Sequence, residues 1–223
     1  MKDADVHVAL AARLHDSAGT PRGDEAGLET LMAAAERLVQ GSHLSAPPEP
    51  GGDGALILRP DSAGRLLDVT EDLADGLRPG RATFGMAITS GPRVPGSLDS
   101  ALEGTDVAST TAMTALLATS LRGARVAILA PGRQPLIEAL ISLILEFTDR
   151  MTDRQRQIIA LVRESETQQQ VARHLGVSRQ AVNQSLTSAG WQHIRRAENA
   201  AREGLAALAR ARSLVDLTKG DRT

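Results

Sequence analysis

Residues 152–191 read TDRQRQIIALVRESETQQQVARHLGVSRQAVNQSLTSAGW. Thr152 is a good N-cap, and Gln155 stands three positions on, the spacing of a capping box. Ile158, Ile159, Leu161 and Val162 give the helix that follows one apolar face, and Glu164-Ser165-Glu166 ends it. Thr167 caps a second helix with Val171, Ala172 and Leu175 inward. Gly176 then supplies the positive φ that a tight turn after a helix demands, and Val177 fills the space beneath it. Ser178 caps a third helix, in which Val182 and Leu186 point inward at i and i+4. The pattern predicts three short helices around one small aliphatic core.

The third helix, Ser178 to Ser188, keeps Arg179, Gln180, Asn183, Gln184 and Thr187 for its outer face. Residues at the start of such a helix meet base edges when it lies in the major groove of double-stranded DNA. Arg pairs with guanine through two donors, and Gln or Asn with adenine. Thr167 and Ser178 suit phosphate contacts at helix starts, and Arg173, Arg195 and Arg196 are further phosphate candidates. No Asp or Glu lies between Gln168 and Glu198, so nothing acidic opposes a polyanion there. The alternative for the same residues is a helical unit that contacts only protein.

Three runs carry a resemblance: Thr152-Asp153-Arg154-Gln155-Arg156-Gln157-Ile158-Ile159, then Gln170-Val171-Ala172-Arg173-His174-Leu175-Gly176-Val177-Ser178, then Gln180-Ala181-Val182. Together they resemble the helix-turn-helix of sigma-factor region four and of LuxR-type and related bacterial regulators. The resemblance implies DNA binding, with RNA polymerase as a possible second partner.

Charge divides the chain in the same place. Residues 1–149 hold 12 Arg and Lys against 20 Asp and Glu, a net of −8. Residues 150–212 hold 11 Arg against 5 Asp and Glu, a net of +6. An acidic part joined to a basic part implies two modules with different partners, the basic one facing phosphates. Phe84, Phe147 and Trp191 are the only aromatics, which argues against the stacking platforms of single-strand binders. There is no Cys, which excludes disulfides and thiolate metal sites. His7, His15, His43, His174 and His193 show no zinc-ligand spacing. No cofactor is expected. The opening residues lack the pattern of a signal peptide, and the most apolar run, Pro135 to Phe147, is too short for a bilayer. The expectation is a cytoplasmic, nucleoid-associated protein without a membrane partner.

Before residue 132 the pattern alternates. Val6–Leu14, Ala55–Arg59, Ala82–Thr89 and Ala124–Ala130 read as strands, with a short one at His43–Ala46. Leu28–Val39 reads as a helix stopped by Gly41, and Leu98–Leu121 as a long one. Between them, Ser62 is positioned to cap a helix that runs to Gly76. Asp16–Gly27, Pro47–Gly54 and Gly91–Gly96 read as loops or turns. This order predicts an α+β sandwich with helices mainly on one face of a sheet. The expected divisions are 1–132 for this domain and 133–150 for a linking or dimerising helix. The helix-turn-helix takes 151–190, and a last helix takes 191–217. In that helix Ile194, Ala197, Ala201, Leu208 and Val215 fit either a coiled-coil seam or packing inside the chain.

Gly52-Asp53-Gly54-Ala55-Leu56-Ile57 and Arg81-Ala82-Thr83-Phe84-Gly85-Met86-Ala87-Ile88 resemble the hairpin Gly-Asp motif and the Arg-x-x-x-Gly strand of nucleotide-cyclase-like domains, most of all those of the SatD family. The resemblance implies a nucleotide-cyclase-like, ferredoxin-like sandwich. Cyclase chemistry needs two carboxylates that hold two cations around a triphosphate. The first strand ends in Ala11-Ala12-Arg13-Leu14 with no acid, Asp16 comes late, and Asp53 stands alone as a weak metal candidate. Ser17, Ser42, Ser90 and Ser109 lack the glycines of a nucleophile elbow, and no phosphate-binding loop or dinucleotide fingerprint occurs. No catalytic residue is assigned. The reading is a non-enzymatic, dimeric, DNA-binding transcription regulator whose N-terminal domain senses a ligand, such as a small nucleotide effector, or only makes the homodimer. The alternatives are a divergent nucleotidyl cyclase and an interaction module that touches the transcription machinery.

Overall fold

The computed structural model describes residues 6–16, 18–40, 44–90, 107–130, 134–164 and 167–220. The N-terminal elements are β1 (Val6–His15), α1 (Glu25–Gln40), β2 (Leu44–Pro50), β3 (Leu56–Pro60), α2 (Arg65–Gly76), β4 (Arg81–Ser90), α3 (Val107–Arg122) and β5 (Val126–Leu129). The C-terminal elements are all helices: α4 (Pro135–Asp149), α5 (Asp153–Arg163), α6 (Gln168–His174), α7 (Arg179–Ser188) and α8 (Trp191–Gly220). Contacts divide the chain into one unit of Met1–Ser142 with Ala201–Thr223 and a second of Leu143–Ala200. The divisions fall inside α4 and α8.

In the first unit, five strands form one mixed sheet in the order β2-β3-β1-β4-β5. All neighbours run antiparallel except β4 and β5, which are parallel. β1 is central because its run, Val-His-Val-Ala-Leu-Ala-Ala-Arg-Leu-His, is apolar on both sides of the pleat and needs cover on both. On one face Ala9, Ala11, Ala55 and Ala87 meet Ala108, Ala112 and Leu116 of α3. These small side chains let the helix lie almost on the strands. On the other face Leu10 stands in register between Leu58 and Met86. All three are fully buried. α1 and α2, packed on each other and on β1, cover that side. The helices therefore occupy both faces of the sheet, where the order of elements alone suggested one.

Several boundaries differ from the sequence pattern, each for a physical reason. β2 runs through Pro47, Pro48 and Pro50, which read as a turn. It is the outermost strand and its pairing with β3 is irregular, and an edge is where missing N–H groups are tolerated. The turn shrinks to Gly51–Ala55. There Asp53 (φ 55°) and Gly54 (φ 67°) take the two positive φ values of a primed hairpin turn. Ser62 does not cap α2 with its side chain. Gly64 holds the cap position, and the Ser62 carbonyl accepts the Arg65 N–H instead. α1 starts at Glu25, three residues ahead of Leu28 where the sequence pattern opens, and an acid suits a helix start. Gly41, His43, the Gly91–Gly96 loop and the first residues of the Leu98–Leu121 helix lie outside the described residues.

α8 returns to the first unit after residue 200. Ala201 and Leu205 are fully buried. Arg202 donates to Asp68 of α2 at 2.8 Å and stands 3.7 Å from the buried Glu71 carboxylate. Ala201, one of the seam positions, is thus taken up by packing inside the chain. No helix among the described residues is long and apolar enough to cross a membrane.

Candidate nucleic-acid interface

The second unit is built from its caps. Thr152 accepts the Gln155 N–H at 3.2 Å while the Gln155 side chain accepts the Thr152 N–H at 2.9 Å, a complete capping box at the start of α5. Thr167 and Gln170 form a second box at the start of α6, with distances of 3.3 and 2.8 Å. The sequence carries that signal as plainly as the first, in Gln170 three residues after Thr167. Ser178 opens α7 by accepting the Ala181 N–H at 3.1 Å.

Between α6 and α7 the chain turns at Gly176 (φ 65°). The Val177 N–H bonds the Ala172 carbonyl and the Gly176 N–H bonds that of Arg173. These two bonds make a Schellman ending, which satisfies carbonyls the helix leaves over. Gly190 (φ 65°) ends α7 with a similar turn and starts α8. Inside the corner, Ile158, Ile159, Val171, Ala172, Val182, Leu186, Trp191 and Ile194 are buried. The Gln155 amide also donates to Ser188 Oγ at 3.1 Å, which ties the start of α5 to the end of α7.

The packing fixes what α7 shows to solvent. Arg179, Gln180, Asn183, Gln184 and Thr187 are all exposed, and so are Thr167, Arg173, Ser178, Arg195 and Arg196. Arg179, Arg195 and Arg196 have no hydrogen bond or ion pair to any described residue. Arg173 has one long bond to the Gln169 carbonyl, at 3.4 Å. The two capping hydroxyls differ. Thr167 donates its proton to Gln170 Oε1 at 2.7 Å, so it is already spent. Ser178 accepts but donates to no group among the described residues.

The first carboxylate after α7 is Glu198, and it faces inward with its side chain 3% exposed. Arg163 pairs with it, and the same guanidinium lies 5.3 Å from the centre of the Trp191 ring. This trio binds α5 to α8 and turns the first carboxylate after α7 inward. Sequence reasoning did not find it, because Arg163 and Glu198 lie 35 residues apart.

In the first unit, Asp53 sits at the tip of the β2–β3 turn, 82% exposed, 3.8 Å from Arg13. Asp16 accepts the N–H groups of Ala18 and Thr20. Its carboxylate therefore closes its own loop. Among the described residues no group of three His, Asp or Glu is placed to hold a metal.

The family model described as Sigma-70, region 4 matches residues 149–190. No curated protein and no solved structure matches the chain. The matched segment spans α5, α6 and α7, so the chain carries a helix-turn-helix of a DNA-binding, transcription-related kind.

Proposed function

We propose that this chain is a DNA-binding transcription regulator whose α7 enters the major groove. The observation that carries the reading is the outer face of α7. Five polar side chains stand in solvent on one helix, Arg179 has no hydrogen bond or ion pair to any described residue, and no acid follows before Glu198, whose side chain faces inward. Arg179, Gln180, Asn183, Gln184 and Thr187 then read base edges. Ser178, Arg173, Arg195 and Arg196 hold the phosphate backbone. The free Ser178 hydroxyl makes it the better phosphate donor of the two caps.

A gel-shift titration tests this. Arg179→Ala, Gln180→Ala and Asn183→Ala should each cost roughly 1–3 kcal/mol on the preferred site and relax sequence preference there. Arg195→Ala and Arg196→Ala should weaken all duplexes evenly and lower the salt slope by about 1 each. Unchanged specificity in all three α7 variants would remove the assignment.

For the N-terminal unit we propose a nucleotide-cyclase-like sandwich that serves sensing or oligomerisation rather than catalysis. The split β-α-β-β-α-β order with β1 central supports this, and so does a buried arginine near the end of β1 where a metal-binding acid would stand. A homodimer fits this reading. Leu143 and Phe147, one turn apart on α4, are each 55% exposed, an unusual place for two large apolar side chains. The double variant Leu143→Ser with Phe147→Ser is expected to remain folded and to run as a monomer in light scattering at concentrations where the parent is a dimer. A parent already monomeric, or a variant still dimeric, would exclude that face.

A further inference from the structure

Arg13 lies two residues before the end of β1, and its side chain is only 8% exposed. Its Nε and Nη2 are both shielded from solvent and make no hydrogen bond to any described residue. These two nitrogens lie on the same edge of the guanidinium, the fork that grips two oxygens at once. Arg22, nearby in the chain, shows that fork filled. Its Nε reaches Asp24 Oδ1 at 3.1 Å and its Nη2 reaches Oδ2 at 2.7 Å. Among the described residues Arg13 has one carboxylate opposite, that of Asp53 at 3.8 Å, outside hydrogen-bond range. A buried cation with two idle donors is costly unless something fills the fork.

The surroundings are built rather than loose. A side chain on Gly54 would come within 2.8 Å of the Gly23 backbone, so the hairpin turn that carries Asp53 is seated closely on the loop before α1. Two acids of the loop that follows β1 are engaged elsewhere: Asp24 with Arg22, and Asp16 with its own loop amides. Among the described residues Asp53 is the acid paired with Arg13, and its own side chain is 82% exposed.

We propose that the Arg13 fork is a site for a phosphate group, with Asp53 as the tethered carboxylate that gives way to it. A free carboxylate gains little over Asp53, which carries the same charge and is already in place. A phosphate brings more charge and a third oxygen. The proposal goes beyond the DNA-binding reading and does not depend on it.

Calorimetric titration of the full chain with orthophosphate, and in parallel with ATP, tests the site. The parent should bind with low affinity. Asp53→Asn should bind roughly tenfold more tightly, since it removes a like charge at the fork. Arg13→Lys, which keeps the charge and loses the fork, should bind more weakly than the parent, and Arg13→Gln not at all. Preference for ATP would mark a nucleotide as the source of the phosphate, and equal affinity the free ion; either supports the site if it is lost in Arg13→Gln. Phosphate held by the basic C-terminal face would bind Arg13→Gln as well as the parent, and that result overturns the proposal. Should Arg13→Gln fail to fold, the Asp53→Asn comparison decides: affinity no higher than the parent's overturns it equally.

Discussion

Gly85→Ala should destabilise the N-terminal unit by about 4 kcal/mol or more, from the addition of one methyl group. Gly85 lies in β4, paired with Ala11 of β1 and Ala127 of β5. A Cβ there would stand 2.2 Å from the Ala112 carbonyl oxygen, 2.2 Å from the Leu116 nitrogen and 2.7 Å from the Leu116 Cα. All three are backbone atoms of α3, so no side chain can rotate out of the way. The helix would have to rise by more than an ångström. That movement would part Ala108, Ala112 and Leu116 from Ala9, Ala11 and Ala87 along the whole contact. A close-packed interior does not absorb such a shift locally. Typical domain stability is about 5–15 kcal/mol, so the variant should unfold at much lower urea concentration. Gly52→Ala is the matched control. Nothing lies within 4 Å of its Cβ, and the change should stay within about 0.5 kcal/mol. Far-UV circular dichroism during urea titration measures both. A Gly85→Ala midpoint close to the parent's would mean that α3 does not rest on the strand as described.

The contrast between Gly85 and Gly176 shows what a sequence displays. Gly176 could be assigned from its neighbours, because a helix ending, a positive φ and the following Ser178 cap are all local. The same holds for Thr152 with Gln155 and for the inward pair Val182 and Leu186. The helix-turn-helix was readable because its parts lie within about forty residues of chain and each obeys a short-range rule. Gly85 looks like an ordinary weak point in a strand until α3, some thirty residues later, is laid across it. Pro47–Pro50 read as a turn because position at a sheet edge is a property of the whole sheet. Arg163 with Glu198, Arg202 with Asp68, and Arg13 with Asp53 are likewise pairs that only the assembled fold brings together. Charge counting found the basic segment but could not tell that Glu198 is turned inward.

Val182→Asp should abolish binding to every duplex, at low as well as high salt. Val182 is fully buried in α7, among the helices of a unit whose core is a handful of aliphatic side chains and one tryptophan. A carboxylate at that place stands among buried apolar side chains and must be buried charged, buried protonated or brought to water by opening the corner. Each route costs at least about 4 kcal/mol, which rivals the whole stability expected of so small a unit. Trp191 is the sole tryptophan and belongs to this unit, so its emission reports the loss directly. A red shift toward solvent-exposed tryptophan should accompany the lost gel shift. Arg179→Ala supplies the comparison, because its side chain is exposed and makes no hydrogen bond or ion pair to any described residue. It should keep the native Trp191 emission and non-specific duplex binding while losing base preference. The two variants lie three residues apart on one helix and separate what the inner face does from what the outer face does. A red-shifted Trp191 with parental affinity in Val182→Asp would show that DNA binding does not need the folded helix-turn-helix, and native emission would show that Val182 does not hold its core.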